Sequence, residues 1–135
     1  MPAGSSLTGY GYGSEIRASA ASLAEGEVGT LLALEGGNIS ISGVRVNGNK
    51  GSISGLTTFG SRGIRISAAA SNISLKDVWV HDLPASAATE AYGIMTNTNG
   101  AVSGLRLSNV ETWNINGTGV YLNGDYEQAR NTSDF

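Results

Sequence analysis

The side chains able to do chemistry are few in this sequence, and they recur in phase with one another. Trp79, His81 and Asp82 close the run Asn72-Ile-Ser-Leu-Lys-Asp-Val-Trp-Val-His-Asp82. Glu111 and Trp113 hold matching places in Gly104-Leu-Arg-Leu-Ser-Asn-Val-Glu-Thr-Trp-Asn114, and Arg45 does so in Asn38-Ile-Ser-Ile-Ser-Gly-Val-Arg-Val-Asn-Gly48. Cleavage of a glycosidic bond needs two carboxyl groups about 5 to 10 Å apart, one of them kept protonated. Glu111 and Asp82 are the candidate pair, with Asp77, Asp125 and Glu127 as further carboxylates. Proton abstraction from a sugar acid needs a base, an acid and a cation, for which His81, Tyr92 and Arg45 or Arg106 are suited. Trp79 and Trp113, with Arg45 and Tyr92, suit the binding of a sugar, whose ring packs on aromatic faces while its hydroxyls need polar partners. The catalytic candidates are therefore Glu111, Asp82 and His81, and the substrate-binding candidates Trp79, Arg45, Trp113 and Tyr92.

Other chemistries are excluded by composition. The 135 residues contain no Cys and one His, which removes disulfides, thiolate nucleophiles and Cys- or His-rich metal cages. No metal or cofactor is expected. Eight Lys and Arg are scattered singly in a chain of net charge −3, which gives no basic stripe for nucleic acid. No apolar run approaches the roughly 18 residues of a membrane span. A His81, Asp82 and Ser triad has no specificity among seventeen serines, and Gly9-Tyr-Gly-Tyr-Gly13 lacks the strand-to-helix setting of a phosphate cradle and reads as a bend.

The elements that must position these residues follow from periodicity. Each of the three runs alternates apolar and polar residues, skips one beat, and alternates again, which is two short strands joined by a bend. A second phrase falls between them, in Gly63-Ile-Arg-Ile66, Gly93-Ile-Met-Thr96 and Gly119-Val-Tyr-Leu122. With Leu7 and Leu32 added, the first phrase anchors at residues 7, 39, 73 and 105 and the second at 32, 64, 94 and 120, a period of about 32 residues. Helical repeats fail because the apolar spacing is two and Gly interrupts nearly every turn. The expected fold is all-β, a right-handed parallel β-helix of about four coils over residues 1–124, followed by a polar C-terminal tail at 125–135.

Such stacking gives the composition a purpose. Gly, Asn, Ser and Thr make up about 43% of the chain, and Asn suits bends with positive φ and polar ladders. Asn38 with Asn72, and Asp77 with Asn109, are expected corner positions. The Asn-X-Ser/Thr triplets at Asn38, Asn72, Asn116 and Asn131 arise freely at such corners. Stacking also turns Arg45, Trp79 and Glu111 outward in one column, and Asn47, His81 and Trp113 in another. Two readings of the Trp columns stand side by side: a sugar platform, or aromatic surface covered by a loop or a neighbouring subunit. The Ala- and Ser-rich segments 18–28 and 84–91 are expected to be surface loops with a helical turn.

The opening Pro2-Ala-Gly-Ser-Ser-Leu-Thr-Gly-Tyr-Gly-Tyr-Gly-Ser-Glu-Ile16 and the following Asn-Ile-x-Ile-x-Gly-Val-x-Val phrase resemble the pectate-lyase-like right-handed β-helix superfamily, including phage tailspikes and polysaccharide depolymerases, over residues 1 to about 124. The resemblance implies a polysaccharide ligand, lyase, hydrolase or epimerase chemistry where there is any, a trimeric or other homo-oligomeric assembly or membership of a longer chain, and an extracellular or virion-surface setting. Tyr92-Gly-Ile-Met-Thr-Asn97 matches only the first two positions of the Tyr-Gly-x-Asp-Pro-His run of the alginate epimerase branch, which counts against that activity. A non-catalytic β-helix, serving as a stalk or assembly surface, is the alternative expectation.

Overall fold

A computed structural model describes residues 1–19, 29–53, 56, 60–96 and 102–122. Most of the 18–28 segment, Asp125, Glu127 and the whole 125–135 tail lie outside the described residues. Among the described residues the secondary structure is all β. The strands are β1 (Ser6–Thr8), β2 (Glu15–Arg17), β3 (Thr30–Leu34), β4 (Gly37–Asn47), β5 (Arg62–Ile66), β6 (Ser71–Leu83), β7 (Ala91–Thr96), β8 (Ser103–Ile115) and β9 (Gly117–Tyr121).

Every named pairing is parallel, and the strands form two sheets. One runs β1-β4-β6-β8 with β2 also on β4, and the other runs β3-β5-β7-β9. The registers follow the repeat. Ile39, Ile73 and Leu105 align, as do Leu32, Ile64, Ile94 and Val120. The first phrase departs from its expected phase, because Leu7 pairs with Ile41 and not with Ile39. β1 and β2 pair separately with the two halves of β4, and residues 9–14 fill the place that two residues, Gly43 and Val44, occupy in β4.

Those later bends explain how strands of 11 to 13 residues change direction without breaking. Gly43, Asp77 and Asn109 sit in phase with φ of 64°, 53° and 51°, and Asn38, Asn72 and Gly104 form an earlier set at 55°, 52° and 61°. Gly, Asn and Asp tolerate this left-handed backbone where β-branched residues do not. Their side chains also bond from strand to strand: Asn72 Nδ2 donates to Asn38 Oδ1 at 3.2 Å, and Asn109 Nδ2 to Asp77 Oδ1 at 2.8 Å. Between the bends Ile39, Ile41, Val44, Val46, Ile73, Leu75, Val78, Val80 and Leu105 point inward and pack against Leu34, Ile64, Ile66 and Ile94 of the second sheet.

The segment after β6 carries no helical turn. Residues 84–90 bend instead around Ser86, whose Oγ accepts from the backbone N–H of Thr89 at 2.8 Å and of Ala88 at 3.1 Å. Backbone-mimicking hydroxyl turns of this kind compete with helix in Ser- and Thr-rich segments.

Candidate functional site

The two outward columns are in register as expected. Arg45, Trp79 and Glu111 lie side by side, and Asn47, His81 and Trp113 lie beside them. Each column begins one strand earlier than the repeat had suggested, with Glu15 ahead of Arg45 and Arg17 ahead of Asn47. The outward side is not bare. Asn47 and His81 are buried, and Trp113 stacks on the imidazole with ring centroids 4.4 Å apart and planes inclined by 2°.

A loop closes over this surface. Residues 9–14 double back, with Gly11 N–H donating to Gly43 O at 3.0 Å, Ser14 N–H to Gly11 O at 3.0 Å and Tyr10 N–H to Ser14 Oγ at 2.9 Å. Gly11, at φ 88°, lets the chain reverse and lay Tyr12 across the columns. The Tyr12 ring meets Trp79 edge-on at 5.4 Å and lies nearly parallel to Trp113 at 6.3 Å, with the Arg45 guanidinium carbon 4.3 Å from its centroid. The aromatic pairs and the cation over the ring each add modest attraction beyond burial. Tyr12 stays half exposed and Tyr10 fully so.

Charge organises the floor. Glu15 binds Arg45 Nη2 and Arg17 Nε, both at 3.2 Å, and its Oε2 stands 3.8 Å from His81 Nε2. On the other side His81 Nδ1 is 2.8 Å from Asp82 Oδ2. Burial alone would raise the Asp82 carboxyl, but hydrogen bonds from His81 and Asn114, with the nearby His81 and Lys50 charges, outweigh it and hold the group below the usual Asp range. An ionised Asp82 only accepts hydrogen bonds, so His81 Nδ1 carries the proton. In the neutral ring Nε2 is then an acceptor facing another acceptor, and it has no hydrogen-bond partner.

Beside Asp82 an open cleft of about 560 Å³ is lined by Arg17, Asn47, Asn49, Lys50, Gly51, Asp82 and Asn114. Lys50 Nζ bridges Asn114 Oδ1 at 2.9 Å and Asn116 Oδ1 at 2.6 Å, and Asn114 Nδ2 donates to Asp82 Oδ1. The cleft therefore presents ammonium, guanidinium, amide and carboxylate groups next to the aromatic cluster. Comparison with protein-family models, curated proteins and solved structures finds no match to the chain.

The structure thus gathers Arg45, Trp79, His81, Asp82 and Trp113, while Tyr92 stands apart. Tyr92 is on β7 in the second sheet, 5.4 Å from Tyr121 and aligned with Arg62 and Thr118. Glu111 lies next to Trp79 in register, exposed, with no hydrogen bond or ion pair among the described residues. Three residues of strand, about 10 Å, separate it from the Asn114 that bonds Asp82. Asp82 is held ionised and tied at both oxygens, the opposite of a general acid. Sequence reasoning missed Glu15 and Tyr12, although aligning Glu15-Ile16-Arg17 with Arg45-Val46-Asn47 would have placed Glu15 in the column.

Proposed function

We propose that this chain is a carbohydrate-engaging module, built as a right-handed parallel β-helix of about four coils, that holds a polysaccharide segment against Tyr12 and Trp113 with polar groups of the adjoining cleft. The observation that carries the reading is adjacency: the half-exposed Tyr12 and the partly buried Trp113 lie beside the strand positions Arg17, Asn47 and Asn114, which line a cleft of charged and amide side chains, the pairing that a sugar's apolar ring face and hydroxyls require. Binding is the primary activity in this reading. If there is turnover, Glu111, which has no hydrogen bond or ion pair among the described residues, and His81 are the groups to carry it, with Asp82 acting as the anion that orients the imidazole.

A second reading, a non-catalytic β-helix serving as stalk or assembly surface, is favoured by a separate observation. Trp79 is already contacted by Tyr12, and Arg45 is already paired with Glu15, so the inner part of the cluster is satisfied within the chain. Affinity electrophoresis and calorimetry against a panel of capsular and plant polysaccharides separate the two, with reducing-end and unsaturated-sugar assays alongside. The carbohydrate reading expects binding to at least one polymer and a loss of about tenfold in affinity for Trp113→Ala, the scale of one aromatic stacking contact. Absence of binding across the panel, together with a fall in solution mass for Trp79→Ala, would establish the assembly reading, of which a homotrimer is the first form to test.

A further inference from the structure

We infer that the Asn116-Gly117 pair, at the corner between β8 and β9, is a self-modification site: the Gly117 nitrogen displaces ammonia from the Asn116 side chain beside Lys50, and a carboxylate replaces the amide. Asn followed by Gly is especially prone to this reaction, because glycine has no side chain to obstruct the approach of its nitrogen to the preceding side-chain carbonyl. Proteins adapted to heat carry fewer asparagines on account of such lability. The sequence holds four Asn-Gly pairs, at Asn47, Asn99, Asn116 and Asn123. Those at Asn99 and Asn123 lie outside the described residues, whereas Asn47 and Asn116 stand in contrasting surroundings.

Asn47 is protected. It is 2% exposed, its Oδ1 already accepts the Asn49 N–H at 2.7 Å, and the Gly48 N–H, the would-be nucleophile, donates to His81 O at 2.9 Å. Asn116 differs at each point. It is exposed, as is Gly117. Ala91, the register partner of Gly117, donates to Asn116 O at 3.0 Å. In a parallel ladder such a residue bonds the neighbours on either side of its partner, so the ladder passes over the N–H of Gly117.

Lys50 supplies the activation. Its Nζ donates to Asn116 Oδ1 at 2.6 Å and to Asn114 Oδ1 at 2.9 Å. An ammonium on a carbonyl oxygen draws electron density from Cγ and stabilises the oxyanion that forms as the nitrogen attacks. In that step the Gly117 nitrogen loses its proton and bonds to Cγ, the Cγ–Nδ2 bond breaks, and Nδ2 departs as ammonia with the proton, closing a cyclic imide. Water then opens the imide at either carbonyl, which gives aspartate at 116 or its isomer with the main chain running through Cγ. Both products carry a new negative charge next to Lys50. The isomer also lengthens the main chain at a corner where Asn116 N–H donates to Leu83 O at 3.0 Å and Asn116 O accepts from Ala91. One reaction thus changes the charge at the Lys50 wall of the cleft and loosens the attachment of β9.

Incubation of the whole chain in mildly alkaline buffer, followed by peptide mapping and mass spectrometry, tests the site. The expected result is a gain of about one mass unit in the peptide containing Asn116, at least about tenfold faster than in the peptide containing Asn47, because local opening must precede reaction at the buried pair. In urea the two rates should converge. Lys50→Gln should lower the ratio of the two rates at least about threefold, the effect of removing one solvent-screened charged hydrogen bond, and Lys50→Arg should preserve it. Far-UV circular dichroism checks the fold of both variants. Should Lys50→Gln not fold, acetylation of the lysines of the folded native chain removes the same charge. Conversion at Asn116 no faster than at Asn47 in the folded chain, an unchanged ratio once the Lys50 charge is gone, or an equal fall in Lys50→Arg would overturn the assignment. Carbohydrate binding plays no part in this measurement, so the site and the proposed function stand or fall separately.

Discussion

At the scale of single residues, the best-defined group is Asp82. Its φ of 56° places it at a bend, and Asn adopts that backbone as readily, so Asp82→Asn changes charge with little change of conformation. Because the folded carboxyl sits below its unfolded value, its stabilising contribution is complete above the ordinary Asp range near 3.9 and is lost as pH falls through the lower folded value. Asp82→Asn is therefore expected to cost about 1 kcal/mol near pH 7, a modest figure because the side chain is one-third exposed. The difference from the native chain should shrink as pH falls below the ordinary Asp range and through the lower folded value, which urea melts at a series of pH values would show. Glu15 shows the limits of residue-level reading. An acidic residue three positions after Tyr12 has no meaning until β2 is known to pair with β4, because the loop between β1 and β2 hides the repeat.

At the scale of elements, the two sheets approach closely where the second phrase opens with glycine. A Cβ on Gly63 would lie 2.3 Å from Val80 Cγ1 and 2.6 Å from Gly93 O, and one on Gly93 2.3 Å from Gly119 O. Gly63→Ala must move a packed valine and a neighbouring strand, and should cost about 1–3 kcal/mol. Gly51→Ala, with nothing within 4 Å, should stay within about 0.5 kcal/mol. Equilibrium unfolding of the two variants checks the contrast. The elements themselves were largely legible beforehand, since alternation at Ile39-Ser-Ile41 or Val78-Trp-Val80 can satisfy only a strand with one buried face. The Asn and Asp bends were legible for a related reason, as few other residues accept their backbone. What was not legible was cover. Periodicity shows that Trp79 and Trp113 point outward, but whether another part of the chain lies on them depends on the path of a glycine-rich loop that has no periodicity of its own. Tyr92 was named for its chemistry alone, and a residue type that suits a reaction says nothing about which sheet holds it; the structure places it on β7, in the second sheet.

At the scale of the whole molecule, the main core is one cluster shared by both sheets, beside a smaller one of Ala18, Ile53 and Leu56, and its cover thins toward the last described strands. In the column Ile41, Leu75, Leu107 the first two are fully buried and the third only partly buried, and Val120 on β9 is 42% exposed. Leu75→Ala is thus expected to cost about 2–5 kcal/mol, while Leu107→Ala should cost less than half of what Leu75→Ala does, as denaturant midpoints would reveal. A chain stabilised in this way tolerates change of length unevenly. Residues 9–14 occupy the place of two residues at the Gly43-Val44 bend, yet Leu7 still meets Ile41 and Ile16 still meets Val46. The strands on either side of this bend keep register independently, so the corner is a natural port for grafted sequence. Peptides inserted at Asp77 or Asn109 would be displayed beside the existing aromatic loop at the 4.8 Å strand spacing, making the molecule a scaffold on which a composite recognition surface can be assembled loop by loop.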